Sequence, residues 1–304
     1  MSVKERIMNA FPENNFTLKE AYDVIDDKPA TTVRGRIYDN LGIAFERVGD
    51  GVYRTIRDDQ QCILIEGNGR DLSFLEDKSV DCIITDHPWE DKKSNKGGNR
   101  NFATYDCFEY VESDFAEKAR VLKDGCFLVE MLPAENENNF DYLYKIKKMA
   151  EKAGLQYYAK VPWIKGTFVS NTGRKSKNSE DMMIFTKGKA RAMRPDVKKN
   201  LANPNVAHYM SGTAKMLPTD FNVQTVPKKE QVAQSEKPIG LVEELLSYLT
   251  FENELVLDQF AGSGVVGEAC LNQKRNCILI EKSPECIKNI RKRLKMEKIK
   301  GEEK

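Results

Sequence analysis

From Gln61 onward, short apolar runs bounded by turn residues alternate with longer stretches whose apolar positions fall three and four apart. The first pattern is that of buried strands and the second that of helices with one packed face. Cys62–Ile65, Asp81–Thr85, Cys126–Met131, Gln156–Val161, Asp181–Thr186, Leu255–Leu257 and Cys277–Ile280 are therefore predicted strands. Phe108–Leu122, Phe140–Ala153, Glu236–Leu249, Gly264–Asn272 and Pro284–Met296 are predicted helices, with a short helical turn at Leu72–Leu75. Such an α/β alternation predicts a mostly parallel sheet covered on both faces. Two segments break the rhythm. Asp91–Tyr105 is basic and glycine-containing, and Gly188 to about Gln234 carries four prolines with little periodicity. Loops of that length inside a compact domain are functional or disordered.

Residues 1–57 follow another pattern. Val3–Ala10 is an amphipathic helix, and Thr17 is placed to cap Leu18–Ile25. Thr31 or Thr32 is placed to cap a third helix reaching Leu41, with Gly42 to end it. Ile43–Arg47 and Gly51–Ile56 then read as a hairpin turning at Gly49-Asp50-Gly51. Three helices followed by a hairpin resemble a winged helix-turn-helix, which implies contact with DNA phosphates through Arg34, Arg36, Arg47 and Arg54. The same module used only for protein contact or packing is the alternative. The predicted organisation is a small domain at 1–57 and a larger one at 58–304.

Composition narrows the class without naming it. Hydrophobic residues make up 40% and charged residues 31%, as in a soluble globular protein. No apolar run approaches the roughly 20 residues needed to cross a bilayer, and the start lacks the apolar core of a signal peptide, so a cytoplasmic location is expected. Net charge is +1, so a nucleic-acid surface would have to come from local clustering. The loop after Trp89 carries Lys92, Lys93, Lys96 and Arg100, and the loop Ser170–Ser179 carries Arg174, Lys175 and Lys177. Together they would rim a cleft and neutralise phosphates, although either alone also fits a solvated charge run. The seven cysteines contain no Cys-x-x-Cys pair, which favours reduced, buried thiols over disulfides or zinc.

The chemistry lies in two strand ends. Leu255–Leu257 is followed by Asp258-Gln259-Phe260-Ala261-Gly262-Ser263-Gly264 and then a helix. A glycine turn of this kind lets a ligand reach the backbone at a helix N-terminus. Gly262, Gly264 and Gly267 also satisfy nicotinamide-binding spacing, so spacing alone does not decide the ligand. The strand Ile83–Thr85 ends in Asp86-His87-Pro88-Trp89. The Asp-x-Phe lead-in and this second segment together resemble motif I (Asp-x-Phe-x-Gly-x-Gly) and motif IV (Asp-Pro-Pro-aromatic) of S-adenosylmethionine-dependent DNA amino-methyltransferases. The catalytic motif precedes the cofactor motif, the permuted order of the beta class.

The resemblance covers about Gln61 to Leu294 and implies a Rossmann-like methyltransferase fold with a seven-stranded sheet. It implies that Asp258, Phe260, Ala261, Gly262, Ser263 and Gly264 hold the methionine end of S-adenosylmethionine. Glu281 would take the ribose hydroxyls and Asp71 the adenine amino group, while Lys237, which with Pro238 resembles motif X, and Asp86 border the cofactor. Trp163-Ile164-Lys165 and Asn178-Ser179-Glu180 resemble segments lining the target-base pocket, and 188–236 occupies the place of a target-recognition region. An exocyclic amino nitrogen is a poor nucleophile. Two fixed acceptors, the Asp86 carboxylate and the His87 carbonyl, would stabilise the charge developing on it. Trp89 offers a face for the extruded base, and no metal is needed. His87 stands where the family has proline, and a carbonyl survives that change. The resemblance implies N6-adenine methylation of double-stranded DNA, because motif IV begins with Asp. N4-cytosine methylation, an RNA substrate, or a DNA-binding regulator built on an inactive methyltransferase fold are the alternatives. A homodimer and a cognate restriction endonuclease are partners that the resemblance leaves open.

Overall fold

A computed structural model describes residues 2–11, 15–41, 44–55, 60–89, 107–169, 175–193, 216–227, 229–232 and 236–296. The expected basic positions Lys92, Lys93, Lys96, Arg100 and Arg174 lie outside the described residues, as do Gly42 and the side chain of Lys175. The chain forms two compact units, one of Met1–Gln60 with Phe251–Asn253 and one of Gln61–Thr250 with Glu254–Lys304.

The smaller unit holds α1 (Val3–Ala10), α2 (Leu18–Val24) and α3 (Ala30–Asp39) with β1 (Phe16–Thr17), β2 (Phe45–Gly49) and β3 (Val52–Thr55). Reciprocal capping boxes start the first two helices. Ser2 exchanges bonds with Glu5, and Thr17 does so with Glu20. The third helix starts earlier than Thr31 or Thr32 would set it. The Pro29 carbonyl accepts from Thr32 N at 2.8 Å and Val33 N at 3.2 Å, and no side chain caps it. The strands run antiparallel in the order β1-β3-β2. Ile7, Phe16, Val33, Ile37, Phe45 and Tyr53 form the core between helices and sheet. Two of the four arginines expected to meet phosphates are engaged inside the unit. Arg54, 7% exposed, pairs with Glu46 across the hairpin, and Arg47 pairs with Asp50. Arg34 and Arg36 on α3 remain exposed, the latter 3.6 Å from Asp39.

The larger unit is built on β4 (Cys62–Glu66), β5 (Val80–Thr85), β6 (Leu122–Pro133), β7 (Leu155–Val169), β8 (Lys175–Lys187), β9 (Leu255–Asp258) and β10 (Asn276–Glu281). Their order is β4-β10-β9-β5-β6-β8-β7. The first five run parallel, and β8 is antiparallel to both β6 and β7. The helices are α4 (Glu112–Val121), α5 (Phe140–Lys152), α6 (Ile239–Leu249), α7 (Val265–Asn272) and α8 (Pro284–Arg293). Every residue of β5 is buried, which explains why its sequence is a run and not an alternation. No helix among the described residues is long and apolar enough to cross a membrane.

Three segments differ from expectation. Helix α4 begins at Glu112 and not Phe108, because Phe108 N donates to the Pro88 carbonyl at 3.2 Å and Val111 N to Asp114 Oδ2 at 2.7 Å. Those bonds hold residues 108–111 extended. Helix α6 begins after Pro238, so Glu236 and Lys237 precede it and turn their side chains to ion pairs with Arg293 and Asp86. The expected short strands at 156–161 and 181–186 are the inner part of one long β7–β8 hairpin with register shifts near Tyr157 and Ile164. Part of the region expected to be a target-recognition insert is also built into this unit. Phe221 is fully buried, exchanges backbone bonds with Pro162 and Ile164, and the Val223 carbonyl accepts from Trp163 Nε1 at 2.7 Å.

Behind β5 lies a fully buried ion pair, Lys118 on α4 with Glu130 on β6. The Lys118 ammonium also stands 3.6 Å above the Tyr110 ring. Burial pushes Glu130 up and Lys118 down, each against the pull of its partner. Removing one partner leaves a buried charge alone. Lys118→Met should therefore cost about 3–5 kcal/mol in urea unfolding, whereas Lys118→Met with Glu130→Leu should recover most of it. Equal losses in the single and double variants would exclude this account.

Candidate active site

The parallel strands all deliver their carboxyl ends to one edge, where ligands bind in sheets of this type. At the end of β9 the chain turns through Gly262 (φ +50°) and Gly264 (φ +77°) into α7. A Cβ on Gly264 would lie 2.9 Å from Ile290, so both the dihedral and the space require glycine there. The turn is tied to the neighbouring strand. Ala261 N donates to the Ile280 carbonyl at 3.0 Å and Gly262 N to Glu281 Oε2 at 2.8 Å. Glu281, at the end of β10, also accepts from Ser283 N at 2.7 Å and Lys282 N at 2.9 Å. Gly69 crosses close beneath: its carbonyl accepts from Gln259 Nε2 at 2.6 Å, and a Cβ there would lie 1.8 Å from the Gln259 oxygen. The sequence reading passed over Gly69, although its Gly-x-Gly after a strand was a local signal. Asp71 is exposed and its carboxylate accepts from Ser73 N at 3.0 Å, which lowers its pKa. No bond links Asp71 to the other site residues.

At the end of β5, Asp86 and Lys237 form an ion pair through Oδ2. Lys237 is 7% exposed and also stands 3.3 Å from Glu180, which pairs in turn with Lys165. His87 is buried at 1% exposure. Its ring lies 4.1 Å from Tyr110 and 5.6 Å from Phe108, and its Nε2 meets the Tyr142 hydroxyl at 2.7 Å. That hydroxyl already accepts from Tyr110 N at 3.2 Å, so its proton is directed to Nε2 and the ring carries its own proton on Nδ1. Burial, aided by the Lys118 charge, pushes the imidazole down to about 3, and it is neutral at ordinary pH. Phe108 lies 5.5 Å from Phe260, and the Arg70 guanidinium 4.8 Å from its ring. One row of aromatic contacts therefore joins the Asp86–Trp89 turn to the glycine turn. Phe108, Tyr110 and Tyr142 were not anticipated as site residues. Trp89 is half-buried, and no ring stacks on it among the described residues.

Residues 80–292 match the N6/N4 DNA methylase family, most of the chain. The chain belongs to this family of S-adenosylmethionine-dependent DNA methyltransferases. The methyltransferase is 27% identical over 237 residues to Type II methyltransferase M.HpaI of Haemophilus parainfluenzae, covering 74% of this chain and 71% of that protein. Its fold is similar to that of the M1.HpyAVI–SAM complex, with a TM-score of 0.55 and 22% identity over 78% of this chain and all of that one. It is also similar to the cytosine-N4-specific PvuII DNA methyltransferase, with a TM-score of 0.56 and 15% identity over 80% and 90% of the two chains.

The residues present fit the cofactor. A carboxylate offers about four acceptor positions, and backbone amides take three on Glu281, leaving one for a hydroxyl. A second hydroxyl would have to displace the Gly262 amide. No three His, Cys, Asp or Glu side chains converge as a metal site among the described residues. All seven cysteines are free thiols.

Asp258 is 4% exposed, and its Oδ1 accepts from Phe260 N at 3.1 Å. Burial, with Asp86 and Glu281 adding repulsion, raises its pKa to about 8. A raised carboxyl pKa favours the fold while the group is neutral, and this contribution is lost as pH climbs from about 4 through about 8. Asp258→Asn keeps the acceptor for Phe260 and removes the charge. It should leave the melting temperature of the cofactor-free protein unchanged near pH 4 and raise it at pH 8, by an amount on the order of 2–5 kcal/mol. A difference that does not grow with pH would refute the burial argument.

Proposed function

We propose that the chain transfers a methyl group from S-adenosylmethionine to the N6 amino group of adenine in double-stranded DNA, with the base extruded from the helix. The observation that carries the reading is the Asp86 carboxylate. It stands at the end of β5, tied at Oδ2 to Lys237, while Oδ1 accepts no bond among the described residues. The bound donor supplies an activated methyl group. Asp86 then accepts from one amino proton and the His87 carbonyl from the other, which stabilises positive charge on the nitrogen as it is alkylated. Trp89, bare of ring partners, is free to stack on the base. The glycine turn with Glu281 receives the cofactor, and the aromatic row through Phe108 sets its distance from Asp86. Because the Asp86 segment comes first in the chain, the enzyme is read as a beta-class, permuted member.

Asp86→Ala should lower turnover by about 10² to 10³ while keeping the melting temperature. Trp89→Ala should mainly weaken DNA binding, stacking being worth roughly 1–3 kcal/mol. His87→Ala should lose stability and keep its chemistry, because the ring is buried among Tyr110, Phe108 and Tyr142. Tritiated methyl transfer with mass spectrometry of the digested DNA measures all three and identifies the product. N4-methylcytosine in place of N6-methyladenine would change the target, and normal turnover in Asp86→Ala would end the reading.

The smaller unit is read as a winged helix whose α3 meets DNA phosphates. The exposure of Arg34 and Arg36 supports this, and the internal pairing of Arg47 and Arg54 limits it to those two. Replacing both by alanine should reduce the slope of log affinity against log salt by about 2, since each phosphate contact contributes roughly 0.9. Cofactor affinity should not change. An unaltered salt slope would assign the unit to protein contact.

A further inference from the structure

The surroundings of Asp86 work against its ionisation. Glu180 on β8, Glu130 on β6 and Asp258 at the end of β9 all act on it or feel it electrostatically. Burial raises its pKa and Glu180 adds to the rise, softened by the 32% exposure of its side chain. The opposing charges are Lys237, just before α6, and Lys165 on β7. These groups form a row: Asp86, Lys237, Glu180, Lys165. Lys237 spends two of the three ammonium donors on the row and cannot lean toward one carboxylate without leaving the other. Glu180 is in turn held charged: burial opposes it, but Lys237 and Lys165 outweigh burial and keep its pKa low.

We propose that Lys237 is a positioning residue for methyl transfer, holding Asp86 Oδ2 while Glu180 and Lys165 anchor Lys237, so that the carboxylate stays ionised with Oδ1 left for the target amino group. This rests on the reading of Asp86 given above. It differs from a cofactor contact, which the Lys237-Pro238 resemblance alone would suggest. It also differs from a block, in which the ammonium occupies the place of the amino group and must leave.

The row makes two substitutions act in opposite directions. Lys237→Met removes the compensating charge and should move the Asp86 midpoint up by about one pH unit or more, so activity at pH 6 falls about 10-fold relative to pH 8. Glu180→Gln removes the repelling charge and should move the midpoint down. Two readouts are needed. One is a carbon-13 NMR titration of the Asp86 carboxyl in the free protein, assigned by its loss in Asp86→Asn. The other is the pH profile of single-turnover tritiated methyl transfer to unmethylated phage DNA. The dissociation constant for S-adenosylmethionine should stay within about threefold, since the change is made at the acceptor. An unmoved Asp86 midpoint with weakened cofactor binding would make Lys237 a cofactor contact and overturn the proposal. Faster transfer by Lys237→Met at every pH would make it a block and do the same. If Lys237→Met does not fold, Glu180→Gln carries the test, and an unmoved midpoint there is equally fatal. Should Asp86→Asn methylate normally, the reading of the active site falls, while the NMR arm still decides the pairing.

Discussion

Parallel strands that end side by side bring their terminal residues together whether or not those residues tolerate one another. Here Asp258 closes β9, Glu281 closes β10 and Asp86 follows β5, and Glu180 approaches from β8. An isolated carboxylate at such a place would give up its charge. The three strand-end acids meet this constraint differently. Backbone amides solvate Glu281. Lys237 compensates Asp86. Asp258 has one amide and no cation bound to it, and its pKa rises to about 8. The acid chosen as the acceptor is thus the one with a cation beside it.

The second constraint is distance. A methyl donor and an amino acceptor are useful only if their two binding turns keep a fixed separation. Residues 258–264 and 86–89 are far apart in the chain, and β9 and β5 pair over a short register, Cys82 with Val256 and Ile83 with Leu257. The aromatic row His87–Phe108–Phe260 adds a second brace above the sheet. It exists because residues 107–111 run extended past Pro88 before α4 begins. Edge-on rings resist compression as packed groups do, so a change at Phe108 would be felt by both turns.

Legibility followed the locality of each signal. Strand cores, capping residues and the glycine turn are encoded within a few neighbouring positions, so Thr17, Gly264 and the runs at 81–85 and 277–280 could be read directly. Strand β1 has two residues, too few for any period to mark. The β7–β8 hairpin outran its apolar pattern because backbone pairing, with Phe221 packed alongside, carries it past Pro162. Tyr110 and Tyr142 join the site only through His87, and nothing near either residue in sequence announces that. The same holds for Glu46 with Arg54, where a cross-strand partner withdrew an arginine that composition had assigned to phosphate.

His87 shows how a departure from a motif is absorbed. Proline at that position would fix φ and present only a carbonyl. Histidine keeps the carbonyl and brings a ring that must be housed. The fold houses it under Tyr110 and Phe108 and satisfies Nε2 with the Tyr142 hydroxyl. Burial beside Lys118 then holds the imidazole near 3. A base of that strength holds almost no proton at neutral pH, so it does not compete for the one released from the amino group. The ring restrains through packing what proline would restrain through its own covalent ring. The proton is left to water and to Asp86, whose ionisation balance is set by Lys237 and Glu180.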